Sequence, residues 1–140
     1  MKALKYGIIA ALALISAQAQ AFLLVQLVND TDAVCKLQNY DLRHGILWTA
    51  VPQRIAPSLA ASFNADDSGY FGPEVELNYD CGGKKVSLNC QEDRWLFWTA
   101  GAVHARLDFA DPGIIARAET EQGSYFWNQA GHIVWYIENR

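Results

Sequence analysis

The sequence predicts an all-β fold, a single antiparallel β-sandwich, and three observations carry that prediction. Apolar and polar residues alternate with a period of two along several short runs, the pattern of strands buried on one face. Clusters of Gly, Asp, Asn, Ser and Pro break those runs at short intervals. After residue 21 no stretch shows convincing helical spacing of apolar residues. Many short strands without a helix argue for two packed sheets.

The first element stands outside that fold. Lys2 and Lys5 precede an apolar run from Gly7 to Ile15, and Ser16-Ala17-Gln18-Ala19-Gln20-Ala21 supplies two overlapping small-x-small cleavage sites. Basic, apolar and small-residue segments in that order read as a secretory signal peptide over residues 1–21. The apolar run is too short for a retained membrane span. The expected mature chain is 22–140, one β-sandwich domain working outside the cytoplasm, secreted or periplasmic. It holds 119 of the 140 residues, enough for one core but not two.

The strand candidates follow in order: Leu23 to Val28, Val34 to Leu42, Ala60 to Phe63, Trp95 to Thr99, Val103 to Phe109, Ile114 to Glu119, Tyr125 to Asn128 and Ile133 to Glu138. Asn29-Asp30-Thr31-Asp32, Asp66-Asp67-Ser68-Gly69, Asp111-Pro112-Gly113, Gln122-Gly123 and Ala130-Gly131 separate them as turns. The run from Val103 to Phe109 also admits a short helix. Between Ala60 to Phe63 and Trp95 to Thr99 lies the clearest element of all. Val75, Leu77, Tyr79 and Cys81 alternate with Glu74, Glu76, Asn78 and Asp80. Val86, Leu88 and Cys90 alternate with Lys85, Ser87 and Asn89. Gly82-Gly83-Lys84 joins the two runs into a hairpin.

A tight turn there places Cys81 opposite Val86, Tyr79 opposite Leu88 and Leu77 opposite Cys90. Cys81 and Cys90 then share the buried face four residues apart, roughly 13 Å at about 3.3 Å per residue. A disulfide needs Cα atoms within about 7 Å. Cys35 is therefore expected to pair with either Cys81 or Cys90, joining distant strands, as an oxidising compartment favours. The odd cysteine is either buried and inert or available to a partner chain.

Charge excludes some functions. With Lys2 and Lys5 removed, nine basic residues face fifteen acidic ones, a net charge of about −6. Nucleic acid is not an expected partner, because phosphate contacts need Lys and Arg. Purely electrostatic attachment to anionic lipid is disfavoured for the same reason. His44, His104 and His132 stand in no metal-binding spacing, and no Cys-x-x-Cys occurs. No metal and no cofactor are expected. No nucleophile elbow or other catalytic motif appears, so no enzyme is expected. Glu74, Glu76 and Asp80 read as the solvated face of a hairpin. Asp66-Asp67-Ser68-Gly69 lacks the ligand spacing of an EF-hand loop and reads as a turn. Asn29-Asp30-Thr31 matches the N-glycosylation acceptor pattern.

Aromatic residues carry the positive signal. Arg94-Trp95-Leu96-Phe97-Trp98, Tyr125-Phe126-Trp127 and Trp135-Tyr136 place rings on adjacent residues. Neighbours along a strand point to opposite faces. One core face cannot take both members of each pair, so some rings face outward or into a second interface. Outward rings stack on sugars, bury at a partner surface or sit among lipid headgroups. The candidate lipid- or sugar-binding residues are Trp95, Trp98, Tyr125, Trp127 and Tyr136.

Residues 25–79 carry a further pattern. Val28-Asn29-Asp30-Thr31 ends an apolar strand. Leu42-Arg43-His44-Gly45-Ile46-Leu47-Trp48 follows, then Pro52, Ile55 and Pro57. Ser68-Gly69-Tyr70-Phe71-Gly72-Pro73-Glu74-Val75 then enters a hairpin with Tyr79. This succession resembles the aegerolysin and actinoporin-like small secreted β-sandwich proteins. Pro52 and Pro57 would frame a connection between sheets, and Trp48 and Ile55 would cap the core. The resemblance implies recognition of a lipid or membrane surface, sometimes as part of a pore-forming system. The leading expectation is therefore a secreted binding protein that inserts rings shallowly into a membrane. Its rivals are an extracytoplasmic protein-binding module (an inhibitor or a toxin-immunity protein) and a carbohydrate-binding module.

Overall fold

A computed structural model describes residues 23–67, 72–93, 101–124 and 129–140. The described residues form ten strands: β1 (Leu23–Asp30), β2 (Cys35–His44), β3 (Ile46–Leu47), β4 (Arg54–Ile55), β5 (Ala60–Asp66), β6 (Glu74–Cys81), β7 (Lys84–Asp93), β8 (Ala102–Ala110), β9 (Ile114–Glu121) and β10 (Gly131–Asn139). They build two five-stranded sheets, ordered β3-β5-β1-β10-β9 (sheet A) and β4-β2-β6-β7-β8 (sheet B). The expected β-sandwich is the fold. One pairing departs from an antiparallel plan: β1 and β10 run parallel at the centre of sheet A. Alternation cannot reveal this, because strands of either direction bury every second residue.

The inward residues of the two sheets form one core. Leu23, Val25 and Leu27 of β1 and Ile133, Trp135 and Ile137 of β10 meet Val75, Leu77 and Tyr79 of β6 and Leu88 and Cys90 of β7. Trp135 is the largest of these side chains and is 1% exposed. Its neighbour Tyr136 points to the opposite face, as strand geometry requires. The phenol of buried Tyr79 donates to the Pro52 carbonyl at 2.6 Å. Pro52 and Pro57 do lie in the segments that carry the chain from sheet A to β4 of sheet B and back.

The hairpin of β6 and β7 exists, but its register is two residues from the expected one. Tyr79 faces Val86, Leu77 faces Leu88, and Val75 faces Cys90. The cause is a two-residue turn. Gly82 and Gly83 take φ of 66° and 89°, the double positive φ of a type I′ turn, which follows the right-handed twist of paired strands. Val103 to Phe109 is strand, not helix, because it pairs with β7 along its length.

Cys35 is bonded to Cys81. The two stand directly opposite each other on neighbouring strands. Cys90 is the free cysteine and is buried. Burial pushes its thiol up to about 12, while the Trp135 Nε1–H, donating to Sγ at 3.3 Å, acts in the opposite sense. Only the thiolate reacts readily. A thiol reagent at neutral pH should therefore label no cysteine in the folded protein and one after unfolding without reductant. Mass counting of the adducts checks this, and one adduct on the native protein would contradict it.

Candidate functional site

Many connections meet at one end of the sandwich. There β5 ends at Asp66 opposite Ile46, β7 ends at Asp93 opposite Ala102, and β9 ends at Glu121 opposite His132. Glycines bring the two sheets together at this end. Gly101 has φ of 100°, and a Cβ on it would sit 2.1 Å from the Gly123 carbonyl oxygen. Gly123 in turn donates its N–H to Gly101 O at 3.0 Å. Beneath them lies Glu92, 1% exposed. A Cβ on Gly123 would come within 2.6 Å of Glu92 Oε1. A buried carboxylate thus sits under a floor of small residues that closes the strand ends.

Two apolar side chains face solvent at the same end. Ile46 is 56% exposed and Trp48 48%. The backbone holds them there: Trp48 N donates to Asn64 O at 2.9 Å, and Asn64 N donates to Thr49 Oγ1 at 2.8 Å. The expectation that Trp48 caps the core is corrected. β3 is a two-residue strand at the edge of sheet A, so no second sheet lies over the ring. Ile55, its expected companion, is buried at 2%.

The aromatic segments start and return at this end. Gly101 N donates to Asp93 O at 2.9 Å, closing the chain around residues 94–100. Ser124 and Gln129 exchange two backbone hydrogen bonds of 2.8 and 2.9 Å around residues 125–128. Trp95, Trp98, Tyr125 and Trp127 fall in those segments and lie outside the described residues. Tyr136 is described and lies elsewhere. It stands on the outer face of sheet A, five residues along β10 from Gly131, about 16 Å at ~3.3 Å per residue. The Arg117 guanidinium covers its ring at 4.3 Å from the centroid, and its hydroxyl meets Glu119 Oε2 at 3.4 Å. Burial is the first cause of a raised phenol pKa there.

His132 Nδ1 lies 4.0 Å from Glu121. Burial lowers its pKa and outweighs the carboxylate, so the imidazole favours its neutral form. His104 pairs with Asp93 at 2.9 Å on the outer face of sheet B. Among the described residues no group of three or more His, Cys, Asp or Glu could hold a metal ion. The outer face of sheet B is a different surface. Glu74, Glu76, Asn78 and Asp80 do point away from the core there, as the alternation indicates. They are not merely solvated: Arg43 binds Glu74 at 3.4 Å and Glu76 at 2.7 Å.

No protein-family model matches the chain, and no curated protein matches it. Solved structures do. RahU protein, crystallised with a TRIS molecule, superposes with a TM-score of 0.66 at 9% identity, covering 86% of this chain and 96% of that one. The lipid binding protein Nakanori gives 0.66 at 12% identity, covering 90% of this chain and 79% of its own. IP-1A from Alcaligenes faecalis gives 0.60 at 12% identity, covering 88% and 96%. The chain shares their fold.

Sequence reasoning placed rings outward in general but missed Ile46 and Trp48 as surface residues. Their signal is local. Gly45 at φ 107° makes a sharp step between sheets. Only the two residues Ile46 and Leu47 then pair with β5. Leu47 packs against the core, but a run so short leaves Ile46 and the following Trp48 without a covering layer.

Proposed function

We propose that this chain is a non-enzymatic, extracytoplasmic binding protein that recognises a membrane lipid surface by shallow insertion of apolar rings. The observation that carries the reading is the exposure of Ile46 and Trp48 at the end of the sandwich where the aromatic-rich segments 94–100 and 125–128 begin and return. Three further points support it. Nakanori, which has this fold, is a lipid binding protein. The resemblance of residues 25–79 to the aegerolysin and actinoporin-like proteins implies the same kind of ligand. The Cys35–Cys81 bond is of a type that persists outside the cytoplasm.

Insertion, not charge attraction, is the mechanism. An acidic chain gains little from anionic headgroups, whereas Trp favours the boundary between acyl chains and water. Masking of a basic protein partner is the rival. It is disfavoured on sheet B, where Glu74 and Glu76 are already engaged by Arg43.

Liposome co-sedimentation with tryptophan emission, at low and high salt, tests the reading. The protein is expected to bind with a blue shift that survives salt. Burying the exposed half of the Trp48 ring, on the order of 100 Å², contributes about 2 kcal/mol. Trp48→Ala should therefore weaken partitioning by about tenfold or more, while its urea midpoint stays near that of the parent. Absence of binding to every lipid mixture, with unchanged emission, would remove the membrane reading.

A further inference from the structure

Across the outer face of sheet B runs one row of uncharged side chains. Asn39, Asn78, Ser87 and Phe109 are direct cross-strand partners on β2, β6, β7 and β8. Strands lie about 4.8 Å apart, so the row is about 14 Å long. It lines a groove of about 430 Å³ that also includes Gln38 and Lys85. Small-molecule clefts span about 300–1,000 Å³. Phe109 brings an aromatic ring to the row and is 53% exposed.

The chemistry of the row narrows what it can hold. Asn78 Nδ2 donates to Asn39 Oδ1 at 2.7 Å, which fixes both amide planes. Asn39 Nδ2 keeps its hydrogens to donate, and Asn78 Oδ1 keeps its lone pairs to accept. Ser87 Oγ donates to Glu76 Oε1 at 2.9 Å and still accepts. Beside the row Arg43 holds Glu74 and Glu76, and Arg106 holds Asp108 at 2.5 Å. On one side of the row a ligand would meet Glu76; on the other, Asp80 stands between Lys36 and Lys85. An acyl chain would strip water from the amides and give no hydrogen bond back.

We infer that this groove binds an oligosaccharide, seating one neutral hexose unit on Phe109 beside Ser87 and the following units along the row, with their hydroxyls bonded to Asn78 and Asn39. A pyranose has an apolar C–H face and a rim of hydroxyls. The ring of Phe109 matches the first. Neighbouring hydroxyls, which donate and accept together, match an amide N–H beside an amide C=O. The groove lies on the outer face of sheet B and contains neither Ile46 nor Trp48, so it stands independently of the lipid reading.

The test uses the intact secreted protein on an immobilised panel of glucose-, galactose-, mannose- and N-acetylglucosamine-terminated oligosaccharides. At least one is expected to bind. Phe109→Ala and Asn78→Ala should each weaken that binding about tenfold or more, and Trp48→Ala should leave it unchanged. Phe109 is an exposed edge-strand residue, so its replacement leaves the fold intact; if Asn78→Ala unfolds, Phe109→Leu supplies the second variant, removing the ring but keeping an apolar side chain. Three results would each overturn the inference. They are no binding to any sugar by the folded protein, sugar binding that the groove variants leave unchanged, or loss of liposome binding in Phe109→Ala without any sugar bound.

Discussion

Replacing Cys35 and Cys81 together by Ser is expected to lower the stability of the protein by about 4 kcal/mol. The bond spans a separation of 46 residues, and closing a loop of that length in the unfolded chain removes entropy worth about 4 kcal/mol at room temperature. Domains of this kind are stable by only about 5–15 kcal/mol, so the loss is a large share of the whole. The bond also does a local job. Cys35 faces Cys81 across β2 and β6, but the pairing of those strands shifts between Leu37 and Asn39. Covalent linkage fixes the register on one side of that bulge, where hydrogen bonding alone permits a slip. Cys35 and Cys81 are nearly inaccessible at 0% and 3% exposure, so reductant acts on the unfolded chain first. Urea denaturation of the double variant, with the parent unreduced, measures the difference. A change below about 1 kcal/mol would mean that the unfolded chain already holds these strands together. A non-reduced peptide map should show Cys35 joined to Cys81, with Cys90 unpaired.

The geometry behind this bond shows how far the sequence could be read. Alternation of Val75, Leu77, Tyr79 and Cys81 was sufficient to place a hairpin, and the separation of Cys81 from Cys90 was sufficient to exclude their pairing. The observed register widens that separation: Cys81 faces Lys84 and Cys90 faces Val75, six residues apart along β6. What alternation could not supply was the turn length, which depends on Gly82 and Gly83 both adopting positive φ. It could not supply the direction of β10 beside β1, because burial has the same period in parallel and antiparallel strands. Nor could it show Trp48 in solvent. An aromatic residue in an apolar run looks like core unless the strand is known to be a two-residue edge. The glycines over Glu92 were legible as turn residues at Gly123 and Gly131, but not as the small residues that let a carboxylate sit beneath them.

Asn29→Ala is expected to cost about 3–4 kcal/mol, although the sequence offers Asn29 as an N-glycosylation acceptor. The side chain is 0% exposed. Its Nδ2 donates to Ala33 O and to Ile55 O, each at 2.8 Å. Its Oδ1 accepts from Thr31 N at 2.9 Å and from Thr31 Oγ1 at 2.6 Å. One amide thus ties the end of β1, the following turn and β4 together. Both Nδ2 hydrogens are donated inside the protein, so a glycan on that nitrogen and this packing exclude each other. Removing the amide leaves several buried donors and acceptors without partners, at about 1–3 kcal/mol for each group that water cannot reach. Asn29→Asp separates the two halves of the side chain. It keeps an acceptor for Thr31, loses the donors to Ala33 and Ile55, and buries a carboxyl against their carbonyl oxygens. Burial raises the pKa of that carboxyl in the folded state above its unfolded value of about 3.9. The folded protein then holds its proton more tightly than the unfolded chain, so stability falls as pH rises through the interval between the two pKa values. The Asp variant is therefore expected to be less stable at neutral pH than near pH ~4, relative to the parent at each pH. Urea midpoints of parent, Asn29→Ala and Asn29→Asp at the two pH values decide it. A pH-independent difference between Asp and parent would place the new carboxyl in water and contradict the buried network around Asn29.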